Sequence, residues 1–83
     1  MGENNQATVL DAILSERVRQ DEIWGDQSKH NDSEWNVIAT QQQGEVAKTI
    51  KESMNAKLFI ELIQTCATYF AWAESVRRRH KDG

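Results

Sequence analysis

The sequence predicts an all-α domain, an antiparallel helical hairpin or bundle of about three helices completed by oligomerisation. Three observations carry this. First, the 83 residues contain no proline and only four glycines, so tight turns are few and a β-sandwich is improbable. Second, apolar residues recur at three- and four-residue spacing in three stretches. Third, a domain this short buries only roughly 60% of the surface its unfolded chain exposes, so it needs a disulfide, a metal or partner subunits. The single cysteine, Cys66, cannot bridge internally, which leaves the metal or the oligomer. The length also excludes a two-domain enzyme, a dinucleotide-binding α/β pair and a solenoid.

Residues 1–6 have no basic start and no apolar run, so they are not a signal peptide and are expected to be disordered. One domain then covers 7–80, with 81–83 as a tail. The first helix is expected over 7–23, where Val9, Leu10, Ile13, Leu14 and Val18 form an apolar stripe. A polar loop follows over 24–32, holding Trp24 and Gly25. Asn31 or Asp32 caps the second helix, and Asn31 with Glu34 has capping-box spacing. That helix runs to about Ser53 and carries Trp35, Ile38, Val46 and Ile50. A short connection at Met54 and Asn55 leads to the third helix, from Ala56 to about Arg79, and so short a link makes neighbours antiparallel.

The third helix is apolar almost all round, with Leu58, Phe59, Ile60, Leu62, Ile63, Tyr69, Phe70, Trp72 and Val76 on more than one face. A chain of this length cannot cover that surface, so a homodimer or higher oligomer centred on this helix is expected. Cys66 reads as a buried core residue. The stretch 66–73 is too short to span a bilayer, and a cytoplasmic protein is the expectation. A formal charge of −3 argues against a general nucleic-acid binder. The basic run 77–81 reads as a helix end complementing the macrodipole.

Polar residues interrupt these stripes at specific places. Ile38, Gln42, Glu45, Val46 and Thr49 share one face of the second helix, and Glu61, Gln64, Thr65 and Thr68 form a narrow strip on the third. The pairs Gln42/Glu45 and Glu61/Gln64 face each other if the helices pack antiparallel. Buried carboxylates are costly unless paired or metal-bound. Oxygen ligands on facing helices suit Mg²⁺ or Mn²⁺. A buried hydrogen-bond network fits the pattern equally, with Glu45 and Glu61 holding Lys48, Lys57 or a tyrosine hydroxyl. No His/Cys spacing suggests zinc.

The run Glu16-Arg17-Val18-Arg19-Gln20-Asp21-Glu22-Ile23-Trp24-Gly25-Asp26-Gln27 is followed by Trp35 and Ile38. Then come Gly44-Glu45-Val46-Ala47-Lys48, Glu61-Leu62-Ile63-Gln64 and Ala71-Trp72. Together they resemble the phage and bacterial MazG-like proteins of the all-α nucleoside triphosphate pyrophosphohydrolases, over roughly 14–78. The resemblance implies a helical dimer or tetramer that uses Mg²⁺ to split nucleoside triphosphates into monophosphate and pyrophosphate. Its metal ligands lie in a Glu-Glu-x-x-Glu motif and a Glu-x-x-Asp motif. Glu45 and Glu61 match these as catalytic and metal-binding residues, while Gln41, Gln42 and Gln64 stand where the family has carboxylates. Gln42 and Gln64 are then weak ligands at best.

Mg²⁺ is a hard cation that favours anionic oxygen, so neutral amides remove much of its attraction. The resemblance with this departure implies binding of a nucleotide or nucleotide-derived ligand, with pyrophosphohydrolase activity weakened or lost. In a phage setting, that fits sequestration of a nucleotide signal. Two alternatives stand beside it: an active Mg²⁺-dependent pyrophosphohydrolase, and a protein-binding helical module or inhibitor. Related enzymes stack aromatic residues of this region on the base, which points to Trp24 beside Gln27 and His30. Gln41, Lys48 and Thr68 complete the expected ligand-binding set, and Trp35 reads as a core anchor.

Overall fold

The computed structural model describes residues 5–82, which form α1 (Asn5–Trp24), α2 (Asp32–Lys51) and α3 (Asn55–Asp82), with no strand among them. The expected disordered start therefore lies outside the described residues for 1–4, and so does Gly83 of the tail. Asn5, Gln6 and Asn55 are helical, and Trp24 closes α1 instead of opening the loop. Such shifts of one or two residues are what fraying helix ends produce.

Local chemistry sets each boundary. Gly25, at φ 75°, stops α1 in the left-handed conformation, and its N–H donates to the Asp21 carbonyl at 2.9 Å. The Asp26 carboxylate then accepts from the Ser28 N–H at 2.9 Å, and Ser75 Oγ donates to the Ser28 carbonyl, pinning the loop to α3. The expected capping box is present. The Asn31 side chain accepts from the Glu34 N–H, and Glu34 Oε1 accepts from the Asn31 N–H, both at 2.9 Å. The cap places His30 at N′ and Trp35 at N4, the two positions of a hydrophobic staple, and their rings meet edge-on at 5.1 Å. At the other end, Ser53 N–H donates to the Ile50 carbonyl and Met54 N–H to the Thr49 carbonyl, a Schellman turn with Ser53 at φ 58°.

Both α1 and α2 pack on α3, and they do not pack on each other. The α2–α3 pair is antiparallel. Far from the turn, Asp32 accepts from the Trp72 indole N–H at 2.9 Å and from Arg79 at 2.6 Å. These two donors, Arg79 foremost, hold the Asp32 carboxyl below its ordinary range. Arg17 ties α1 to α3, reaching Asp21 at 3.0 Å and Glu74 at 3.1 Å.

The buried face of α3 is small or polar, with Ala67, Ala71, Thr65, Thr68 and Ser75 around Ile63 and Glu61. The buried threonines satisfy their hydroxyls within the helix, Thr65 donating to the Glu61 carbonyl and Thr68 to the Gln64 carbonyl. Phe59, Ile60, Leu62, Tyr69 and Phe70 face outward. Cys66 is likewise exposed, not buried, because it lies on this outer face. In the α1 stripe, Val9, Leu10, Leu14 and Val18 are exposed and Ile13 is half-buried; Gln20 is the buried residue of α1, its amide donating to the Gln64 carbonyl of α3. On α2, Trp35 and Val46 are buried as expected, Ile38 is half-buried and Ile50 is exposed.

A serine at a left-handed position carries a steric cost that glycine lacks. Ser53→Gly is expected to stabilise the fold by about 0.5–1 kcal/mol, a Tm rise of roughly 4 °C. Thermal unfolding followed by circular dichroism checks this.

Candidate functional site

The antiparallel hairpin pivots near Ser53, which sets the level of every residue on its two arms. Glu45 and Glu61 each lie eight residues from Ser53, Gln42 and Gln64 eleven, and Ile38 and Thr68 fifteen. Equal distance from the turn puts each pair at one height along the hairpin. Ile38 and Thr68 do line one cavity, as that register requires.

That cavity is a cleft of about 390 Å³ where α1 and α2 diverge over α3. Gln20 and Trp24 form the α1 wall, and Gln27 and His30 come from the loop. Trp35, Ile38, Gln41 and Gln42 form the α2 wall, and Thr68 is the contribution of α3. Five of the six expected ligand-binding residues meet here: Trp24, Gln27, His30, Gln41 and Thr68. Gln42 joins them. Lys48 does not line the cleft and lies exposed further along α2. Gln20 and Ile38 were not expected in a site. Gln20 sits beside the α1 stripe with nothing in its local pattern to mark it, whereas Ile38 follows from its spacing of three and four to Gln41 and Gln42.

Among the described residues, no Asp, Glu, Lys or Arg side chain lines this cleft. Its polar surface is four carboxamides, one hydroxyl and one imidazole, between apolar walls of Trp24, Trp35 and Ile38. Glu34 stands nearby, its Oε1 4.0 Å from His30 Nδ1. Trp24 is 68% exposed. Trp35 is only 2% exposed, and its indole N–H is buried with no hydrogen-bond acceptor. Trp35 and Gln27 also line a second cavity of about 340 Å³, charged by Arg17, Asp21, Asp26, Glu74 and Arg78. There Asp26 sits below its ordinary range because Ser28 donates to its carboxylate.

Of the expected metal ligands, Gln42 lines the cleft, whereas Glu45, Glu61 and Gln64 do not. Glu45 is exposed and Glu61 is 6% exposed, and neither carboxylate takes a hydrogen bond or ion pair from a described side chain. The lysine pairings of a buried network are therefore not formed. At the next level stand the neutral amides Gln42 and Gln64. Among the described residues, no three His, Cys, Asp or Glu side chains cluster as a metal site. Two carboxylates and two amides fit Mg²⁺ poorly, since that cation retains its waters unless several anionic oxygens replace them.

No protein-family model, no curated protein and no solved structure matches the chain. No helix among the described residues is long and apolar enough to cross a membrane.

The tryptophans differ sharply in access. Acrylamide is expected to quench Trp24 most, half-buried Trp72 less and Trp35 least, and Trp24→Phe to remove the most quenchable component while leaving the blue-shifted Trp35 emission in place. Equal quenching in the variant contradicts this arrangement of the cleft.

Proposed function

We propose that the chain binds a nucleotide or nucleotide-derived ligand in the glutamine-lined cleft, with pyrophosphohydrolase activity weakened or lost. The observation that carries this reading is the lining itself: carboxamides and an imidazole between two indoles, with no charged group. Carboxamides present donor and acceptor side by side, which matches the edge of a nucleobase. The exposed indole face of Trp24 supplies stacking, worth about 1–3 kcal/mol per base. The volume of about 390 Å³ falls at the small end of ligand pockets and suits a base with its sugar. The orphaned Trp35 N–H supports the same reading, because a ligand acceptor would offset the cost of burying it unpaired.

A triphosphate gains nothing from such a wall. Its charges need cations or a metal cluster, and Glu45 with Glu61 supplies too few anionic oxygens to hold Mg²⁺ against it. The part of the ligand that is recognised is then the base, and the phosphates point out of the cleft. If the chain is phage-encoded, binding without turnover suits the sequestration of a nucleotide signal.

The test is a panel of nucleosides, nucleoside triphosphates and cyclic dinucleotides, scored by Tm and by tryptophan fluorescence. At least one should raise the Tm and quench Trp24. Gln42→Ala should weaken that binding about tenfold, the equivalent of one hydrogen bond in the cleft. Pyrophosphate release with Mg²⁺ should stay at background in the wild type and rise in the Gln41→Glu/Gln42→Glu variant. Wild-type turnover above about 1 s⁻¹ would establish the hydrolase instead. Absence of any binding refutes the ligand reading and favours a protein-binding module.

A further inference from the structure

We propose that the cleft selects nucleobases carrying an exocyclic amino group, adenine or cytosine, over their oxo counterparts, and that Gln20 and Thr68 are the determinants. This selectivity rests on the binding of a nucleotide or nucleotide-derived ligand proposed above. Two cleft residues are not free to turn. Gln20 of α1 donates its Nε2–H to the main-chain carbonyl of Gln64 at 3.4 Å, and Thr68 of α3 donates its hydroxyl to the same oxygen at 3.0 Å. A carbonyl oxygen only accepts. At 3.4 Å the Gln20 bond is long and weak. Its direction is nevertheless decided, because the flipped amide would set Oε1 against the Gln64 oxygen, lone pair to lone pair. Thr68 has one hydroxyl proton, and that proton is committed. Gln20 is 6% exposed and Thr68 3%, so neither finds an alternative partner in bulk water.

What these two residues offer a ligand is therefore fixed in sign. Gln20 presents Oε1, which takes no hydrogen bond from a described residue and is not sealed from solvent. Thr68 presents the remaining lone pairs of Oγ1. Both are acceptors. The other carboxamides of the cleft behave differently. The side chains of Gln27, Gln41 and Gln42 make no hydrogen bond to a described residue, so each can turn either end toward a ligand. They serve an amino base and an oxo base equally well.

Fixed acceptors reward donors. An exocyclic amino group carries two N–H bonds on one nitrogen, one for each of the two acceptors. An oxo group in the same place faces them with lone pairs only. The mismatch leaves buried polar atoms unpaired, and this is the kind of error that binding sites reject most strongly. The discrimination between the two kinds of base thus falls on Gln20 and Thr68, which a common contact with one main-chain oxygen holds in place.

Calorimetric titration of the full chain tests this with two pairs matched in size, adenosine against inosine and cytidine against uridine, as nucleosides and as 5′-monophosphates. In each pair that binds, the amino member should bind about tenfold tighter or more. Equal affinity, or preference for the oxo member, overturns the selectivity and leaves the ligand reading standing. If none of these compounds binds, both fall together. Thr68→Val should cut the amino-to-oxo ratio about threefold, and Gln20→Met should bring it close to one, while the oxo members keep their wild-type affinity. A merely structural role would weaken both members of a pair alike and keep the ratio, and that result overturns the assignment to these two residues. If circular dichroism shows that the variants do not fold, the wild-type ratios decide alone.

Discussion

Two helices share α3 without touching each other, and most of the molecule follows from that constraint. Helices can lie close to a third only where its side chains are small. The buried face of α3 meets that need with Ala67, Ala71, Thr65, Thr68 and Ser75. Because α1 and α2 then diverge, a trough is left between them with Thr68 in its lining, and this trough is the cleft. The bulky apolar residues of α3 are displaced to the opposite side. The cleft and the exposed apolar face are thus two consequences of one distribution of side-chain size around a single helix.

The start of α2 turns this geometry into chemistry. Asn31 and Glu34 satisfy each other's backbone donors, which fixes the angle at which the loop enters the helix. His30 is thereby set edge-on against Trp35, and both become walls of the cleft. Gly25 performs the matching task at the end of α1, where its positive φ ends the helix beside Trp24. A capping motif usually concerns stability alone. Here it also positions an imidazole and a buried indole N–H that has no partner in the protein.

Much of this was legible in the sequence, and the reasons differ from feature to feature. The three helices, the Asn31/Glu34 cap and the antiparallel turn rest on local chemistry that neighbouring residues decide among themselves. Trp24, Gln27, His30, Gln41 and Thr68 meet in one cleft because the loop and the hairpin register bring them there. Periodicity tells which residues share a face, but it does not tell which face is inside. That ambiguity placed Cys66 in a core it does not enter, and it hid Gln20, the buried residue of α1. For α3 the usual rule that apolar residues go inward fails, since nothing within one chain is left to cover them. Lys48 is a case of distance. It shares α2 with Gln41 and Gln42 but lies more than a turn beyond them.

The account stands or falls on whether an uncharged cleft receives a ligand through its amides. Amide side-chain NMR resolves this directly, because each glutamine NH₂ gives its own pair of signals. On titration with a nucleoside that shifts the Tm, the NH₂ signals of Gln20, Gln27, Gln41 and Gln42 should move together, along with the indole N–H of Trp35. The NH₂ signals of Gln6 and Gln43, outside the cleft, should stay fixed. Shifts confined to Gln6 and Gln43, or none in the four that line the cleft, would contradict the account.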